Sequence, residues 1–158
     1  MIILGVDPGF ERLGIAVLEK EKGGKKEKVI FSECFKTSSK IEFSSRLCLI
    51  GKEVKKIIKK YKPEVLSIET LFLNTNQKTV MQVAETRGVV LYEAKKAGLD
   101  IFEASPPQIK IATTGYGRAD KKQIIKMVKL LVDIKSDTNS DDELDAIAIA
   151  LTASAHRR

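Results

Sequence analysis

Four acidic residues stand where apolar segments end or begin. Asp7 closes Ile2-Ile3-Leu4-Gly5-Val6 and Glu69 closes Val65-Leu66-Ser67-Ile68, while Asp142 and Asp145 open the apolar run Ala146-Ile147-Ala148-Ile149-Ala150-Leu151. An ionised carboxylate at the margin of a buried element is costly unless something cationic compensates it. Taken singly, three of them have ordinary explanations. Asp7 is a turn residue ahead of Pro8-Gly9, Glu69 is a strand-end surface charge, and Asp142 suits the positive end of a helix dipole. Asp145 is different, because it lies inside a helix that is apolar all round, the pattern of a buried helix, where an unpaired charge is expensive. Asp142 and Asp145 are three residues apart and so share a helix face. Convergence of the four would make a divalent-metal site, and carboxylate oxygens without His or Cys suit Mg²⁺ or Mn²⁺ rather than zinc. Two such ions about 3.5–4 Å apart activate a water and stabilise a leaving oxygen in phosphodiester hydrolysis.

The bulk composition agrees with a nucleic-acid substrate. The 158 residues carry a formal net charge of +7, which favours a polyanionic partner. With 43% hydrophobic and 31% charged residues, the chain has material for one substantial core and is short for two. It contains nothing like a signal peptide or a bilayer-spanning run, so a cytoplasmic protein without a membrane role is expected. Cys34 and Cys48 lack metal-ligand spacing and are expected to be reduced, small core residues. His156, the only histidine, lies too near the end of the chain to be a favoured ligand.

Elements that place these residues can be read from periodicity. Ile2–Val6, Leu13–Leu18 and Val29–Phe35 form an antiparallel meander, joined by Pro8-Gly9 and by a charged connection around Gly23-Gly24. A long amphipathic helix runs from about Ile41 to Tyr61, ended by Pro63; its polar face carries Lys52, Lys55, Lys56, Lys59 and Lys60, a solvated face or a DNA groove. Val65–Glu69, a helix over Gln77–Ala97 and Asp100–Ala104 give a β-helix-β alternation, hence parallel strands and right-handed crossovers. Ser105-Pro106-Pro107-Gln108 starts a short helix, Thr113–Arg118 is a loop, and Lys121–Val132 is helical. Ser140-Asp141-Asp142-Glu143 is a capping box that opens the last helix.

These elements predict one α/β domain over residues 1–158, with a five-stranded mixed sheet, antiparallel meander plus parallel strands, flanked by helices. If the first strand is central and the Val65 strand lies parallel to it, both end at the edge where chain order reverses, the usual ligand crevice of such sheets. Asp7 and Glu69 are then neighbours there, and Asp142 and Asp145 can face them from the last helix.

Leu4-Gly5-Val6-Asp7-Pro8-Gly9, Leu13-Gly14-Ile15-Ala16-Val17, Ile68-Glu69-Thr70-Leu71-Phe72 and Asp142-Glu143-Leu144-Asp145-Ala146-Ile147-Ala148-Ile149-Ala150, in that order, resemble the RuvC family of Holliday junction resolvases, within the ribonuclease H-like superfamily. The resemblance covers nearly the whole chain. It implies a ribonuclease H-like fold, a crossover junction endodeoxyribonuclease acting in recombination and repair, and catalytic metals held at Asp7, Glu69, Asp142 and Asp145. It further implies a homodimer that nicks four-way junction DNA in pairs, alongside the junction branch-migration motor complex. Alternatives are another ribonuclease H-like nuclease acting on RNA or other branched nucleic acid, and a catalytically silent junction binder.

The resemblance also matches Lys110 and Lys121 to family lysines near the scissile phosphate, with Lys122 as the competing assignment for the second. An ammonium there would stabilise developing charge; otherwise these are surface lysines. Asp141 is an extra acid beside the matched pair. Phe72, three residues past Glu69, is either a wedge between bases, the role the family gives a Phe at this position, or a hydrophobic staple onto the next helix. Tyr116, between Gly115 and Gly117, is a stacking candidate or an exposed loop tip. Ala84 and Gly88, four apart, permit close approach either of a second copy, as the resemblance implies, or of the sheet.

Overall fold

The computed structural model describes residues 1–21, 23, 26–71, 77–134 and 140–157. Strand β1 (Ile2–Asp7) pairs antiparallel with β2 (Arg12–Glu19), and β2 pairs antiparallel with β3 (Glu27–Lys36). On the other side of β1, β4 (Val65–Glu69) and then β5 (Asp100–Ala104) add in parallel, which makes β1 the central switch strand expected from the sequence. A sixth strand departs from that expectation. The helix predicted over Lys121–Val132 stops at Leu131, and β6 (Val132–Ile134) pairs parallel to β3, giving the order β5-β4-β1-β2-β3-β6. The apolar run Leu130-Leu131-Val132 fits either period; the open edge of β3, whose backbone groups need partners, decides for a strand.

The alternation of side chains splits the core into two layers. Ile3, Ala16 and Leu18 face one cluster, formed with α3 (Pro106–Thr114), α4 (Lys121–Leu131) and α5 (Asp141–His156). Leu4, Val6, Leu13, Ile15 and Val17 face the other, formed with α1 (Phe43–Tyr61) and α2 (Gln77–Lys96). Central strands covered on both faces explain why they read as nearly continuous apolar runs. Helix α1 buries Ile50, Val54, Ile57 and Ile58 and leaves Lys52, Lys55, Lys56, Lys59 and Lys60 exposed, so the lysine run is a solvated face. It ends where Lys62 adopts a left-handed conformation (φ 49°) before Pro63, a residue that disfavours helical backbone just ahead of it. Helix α3 runs through Thr114, two residues into the predicted loop, and closes on Gly115.

Helix α5 is the most buried helix, and two glycines seat it. A Cβ at Gly5 would lie 2.3 Å from the Ala146 carbonyl oxygen, and one at Gly14 would lie 2.2 Å from that of Asp142. The helix backbone therefore rests directly on the β1–β2 ribbon. Ser67 Oγ, fully buried on β4, donates to the Ile149 carbonyl at 2.6 Å and fixes the helix along its axis. Among the described residues no helix is long and apolar enough to cross a membrane.

Candidate active site

The register of β1 on β4 pairs Val6 with Ile68, so the next residues, Asp7 and Glu69, emerge side by side at one edge. Val6 and Ile68 both face the α1–α2 layer, so Asp7 and Glu69 turn to the opposite face, where α5 begins. The start of α5 is held by a capping box: Ser140 Oγ accepts from the Glu143 N–H, and the Glu143 carboxylate returns to the Ser140 N–H. Glu143 also accepts from Ser32 Oγ at 2.6 Å, which ties this helix start to β3. With Gly14 beneath Asp142, the first turns of α5 bring Asp142 and Asp145 to the edge that carries Asp7.

A cavity of ~310 Å³ opens at this edge, lined by Asp7, Glu69 and Asp145 and by Lys110 and Lys121. Its electrostatics are those of crowded carboxylates. Asp7 is pushed up to about 7, by burial first and then by the charges of Asp145, Glu69 and Asp142, against a lowering by Lys121. Burial and the charge of Asp145 raise Glu69, and burial raises Asp145 although Lys121 pulls it down. Asp142 is the exception. Burial alone would raise it, but hydrogen bonds from Arg12 and Cys34 outweigh that and hold it below the usual carboxylate value. Arg12 Nε and Nη2 donate to Asp142 Oδ2 at 2.9 and 2.6 Å, and Cys34 Sγ lies 3.5 Å from the same oxygen.

Cations accordingly sit on the two carboxylates of α5. Lys121 Nζ donates to Asp145 Oδ2 at 3.1 Å and lies 3.4 Å from Asp141. As they stand, no three His, Cys, Asp or Glu side chains among the described residues are gathered closely enough to hold an ion. Asp141, the extra acid, has its side chain 67% exposed, against 22% for Asp142 and 34% for Asp145, and of the three Asp145 lines the cavity. Lys121 faces the cavity, whereas its exposed neighbour Lys122 does not line it.

The other sequence candidates lie apart from this centre. Tyr116 is exposed and lines a separate hollow with Gln123, Lys126 and Met127. Phe72 falls outside the described residues. The ring of His156 packs on Phe102, with centroids 5.0 Å apart. Neither cysteine is a core residue: Cys48 is exposed on α1, and Cys34 is half-buried against Asp142 because β3 turns it toward the start of α5.

Sequence reading missed two arginines. Arg12 opens β2 two residues before Gly14, the partner of Asp7 across the hairpin, so hairpin register was the available signal. Arg87, on α2, donates Nε to the Glu69 carbonyl at 3.1 Å and pairs with Glu103 on β5, fixing the end of β4; it carried no local signal.

Comparison with known proteins places this geometry in a family. The family model for crossover junction endodeoxyribonuclease RuvC matches residues 3–153. The crossover junction endodeoxyribonuclease RuvC of Ruminiclostridium cellulolyticum is 41% identical over 158 residues, covering 99% of this chain and 94% of that protein. That of Halothermothrix orenii is 43% identical over 151 residues, covering 96% and 90%. The solved structure of Thermus thermophilus RuvC in complex with Holliday junction substrate superposes with a TM-score of 0.92 at 30% identity, covering 100% of this chain and 95% of that one. Sheet order, the carboxylate-lined edge and near full-length similarity agree, and the chain belongs to the RuvC family of crossover junction endodeoxyribonucleases.

Proposed function

We propose that the chain acts as one ribonuclease H-like nuclease domain in the cytoplasm, resolving four-way DNA junctions by hydrolysis at Asp7, Glu69, Asp142 and Asp145 in the presence of Mg²⁺ or Mn²⁺. The observation that carries this is the convergence of carboxylates from β1, β4 and α5 on one basic-rimmed cavity, with Asp7 raised to about 7 by burial and by its carboxylate neighbours. A pure binding surface for phosphates gains nothing from such a cluster. The donor set fits a hard divalent cation, since every inward ligand is a carboxylate oxygen and the only nearby thiol is engaged with Asp142.

With the cation bound, the site gains Lewis-acid polarisation of the phosphate and a more acidic attacking water. The chain's own residues do the rest. Asp7 and Glu69, side by side at the ends of parallel strands, fix two donors on the most rigid part of the sheet. Asp142 and Asp145 complete the set from a helix whose position the glycines leave no room to alter. Lys110 and Lys121, both on the cavity wall, offer ammonium groups to charge developing on the scissile phosphate. Lys122, Tyr116 and Phe72 are the further DNA-contacting residues of this reading. In-line attack releases a 3′-hydroxyl and a 5′-phosphate.

Paired cutting needs two such sites, and α2 supports a homodimer. Met81, Glu85, Gly88 and Tyr92 are all exposed and recur at the four-three-four spacing of a helix-packing seam, with Met81 64% and Tyr92 61% exposed. A Cβ on Gly88 would meet nothing within 4 Å, so its smallness serves no contact inside the chain and the sheet-packing explanation fails for it. A two-fold axis through this seam would match the two-fold symmetry of a junction.

The deciding experiment is cleavage of a synthetic four-way junction, linear duplex and RNA–DNA hybrid, with and without Mg²⁺. Symmetric, ligatable, Mg²⁺-dependent cuts confined to the junction are expected. Preferential cutting of the hybrid by a monomer would refute the reading, as would junction binding without cleavage.

A further inference from the structure

We infer that Arg12 is a shared cation, holding Asp142 in the DNA-free protein and passing to a substrate phosphate when DNA binds, so that the full carboxylate set is released to metal only then. This rests on the metal-dependent junction cleavage proposed above.

The observation is an asymmetry within the site. Asp7, Glu69 and Asp145 line the cavity, but Asp142 does not. Its Oδ2 is met by three donors, Arg12 Nε at 2.9 Å, Arg12 Nη2 at 2.6 Å and Cys34 Sγ at 3.5 Å. Oδ2, so engaged, has no lone pair to offer until the guanidinium leaves, which restricts Asp142 to its other oxygen and bars it from ligating through both. Arg12 can leave at modest cost, because its side chain is 52% exposed and an exposed ion pair is weak. A phosphodiester is the natural alternative partner, since the guanidinium fork fits two phosphate oxygens as well as a carboxylate.

The stem of Arg12 is fixed while its head is accessible. A Cβ on Gly9 would lie 2.2 Å from the Arg12 carbonyl oxygen, so the β1–β2 turn folds tightly back onto Arg12. The turn is clamped by buried Arg46, whose Nη2 donates to the Phe10 carbonyl at 3.3 Å and whose Nε donates to Thr37 Oγ1 at 2.9 Å. Arg12 therefore projects from a rigid rim two residues from Gly14, the partner of Asp7 across the hairpin. Lys121 sits on Asp145 across the same site, so both α5 carboxylates are guarded by a cation suited to phosphate, but Lys121 already lines the cavity and Arg12 does not. The exchange at Arg12 gives metal loading a dependence on substrate: an enzyme without DNA holds the ion weakly, and phosphate arrival strengthens it.

Mn²⁺ binding, followed by calorimetry and by the loss of the free-ion electron-paramagnetic-resonance signal, tests this without reference to turnover. In the absence of DNA, Arg12→Gln should bind Mn²⁺ roughly 2–5-fold more tightly than wild type, the range expected for freeing a carboxylate from an exposed pair, and Arg12→Lys should lie between. On an Asp142→Asn background the same substitution should have no effect. A four-way junction with non-hydrolysable 3′-methylene-phosphonate linkages at the cut should raise the affinity of wild type toward that of Arg12→Gln while changing the variant much less. Equal Mn²⁺ affinity of wild type and Arg12→Gln without DNA would overturn the inference and leave the metal site standing. Absence of saturable Mn²⁺ binding in every form would overturn the metal site, and the inference with it.

Discussion

Asp7→Asn should make the metal-free protein more stable while abolishing cleavage. Asp7 ends the central strand, and burial together with Asp145, Glu69 and Asp142 lifts its carboxyl from the ordinary 3.8 to about 7. At ~1.4 kcal/mol per tenfold, that displacement sets a ceiling of ~4 kcal/mol on the cost of keeping Asp7 ionised in the folded state. The amide removes the charge at nearly the same shape but keeps a polar group out of water, which returns ~1–2 kcal/mol. A net gain of ~2–3 kcal/mol is expected at pH 8 with a chelator present, or roughly 5–10 °C in Tm for a chain of this size. The sign follows from proton counting. Between about pH 4 and 7 the folded wild type binds more protons than the unfolded chain, so its stability falls as pH rises through that window and levels off above it. The Asp7→Asn variant lacks the Asp7 share of this dependence and keeps that of Glu69 and Asp145. The gap should therefore run ~1–2 kcal/mol against the variant at pH 4, where only the cost of the buried amide remains, cross to its favour through neutrality and reach its full value at pH 8. Urea titrations at three pH values, in chelator and in Mg²⁺, measure it; Mg²⁺ should stabilise wild type and close the gap. A variant no more stable than wild type at pH 8 in chelator, or a gain independent of pH, would refute the crowding of uncompensated carboxylates.

Other perturbations probe separate parts of the site. Gly14→Ala should leave the sheet paired but push the start of α5 from Asp7, since its Cβ would sit 2.2 Å from the Asp142 carbonyl oxygen; a fall of at least ~100-fold in cleavage with little change in junction gel shift is expected. The raised carboxyls make ion uptake compete with protons, so apparent Mn²⁺ affinity should be ~10-fold weaker at pH 6 than at pH 8 and flat above about pH 8; affinity unchanged over pH 6–8 would contradict this. Lys121→Met should slow cleavage of saturated complexes more than it weakens binding, measured by single-turnover kinetics; a loss confined to affinity would reduce it to a surface contact. Gly88→Arg should fold normally, because nothing among the described residues meets a Cβ there, but sediment as a monomer and convert paired cuts in a cruciform plasmid to single nicks.

The sheet's switch point and the meeting of Asp7, Glu69 and Asp145 at one cavity were legible because each rests on a local rule. A carboxylate ends an apolar strand at Asp7 and Glu69, and Asp145 is an acid inside an all-apolar helix. Asp142 was legible by its spacing from Asp145, although its actual partner was not. Strand β6 escaped because Leu130-Leu131-Val132 satisfies helical and extended patterns alike, and only the edge of β3, more than 90 residues away, decides between them. Arg12, Arg46 and Arg87 were missed for the same reason. Their partners, Asp142, the Phe10 carbonyl and the Glu69 carbonyl, are set by tertiary contact, and an arginine in sequence gives no sign of which acceptor it will reach.

The proposed site joins the seventh residue of the chain to the 142nd and 145th, and on that reading the order of synthesis sets when the protein becomes able to cut DNA. During synthesis β1 is made first, yet Asp7 and Glu69 wait through almost the whole chain for the helix that gives them partners. Until α5 is made, Gly5 and Gly14 face nothing and the apolar face of the sheet lacks its cover. A nascent or prematurely ended chain thus carries basic surface without a complete cutting centre, and that same chain lacks the helix that closes its core. Completion of the fold and acquisition of nuclease capacity become a single late event, and an unfinished product is marked for clearance by its own exposed core.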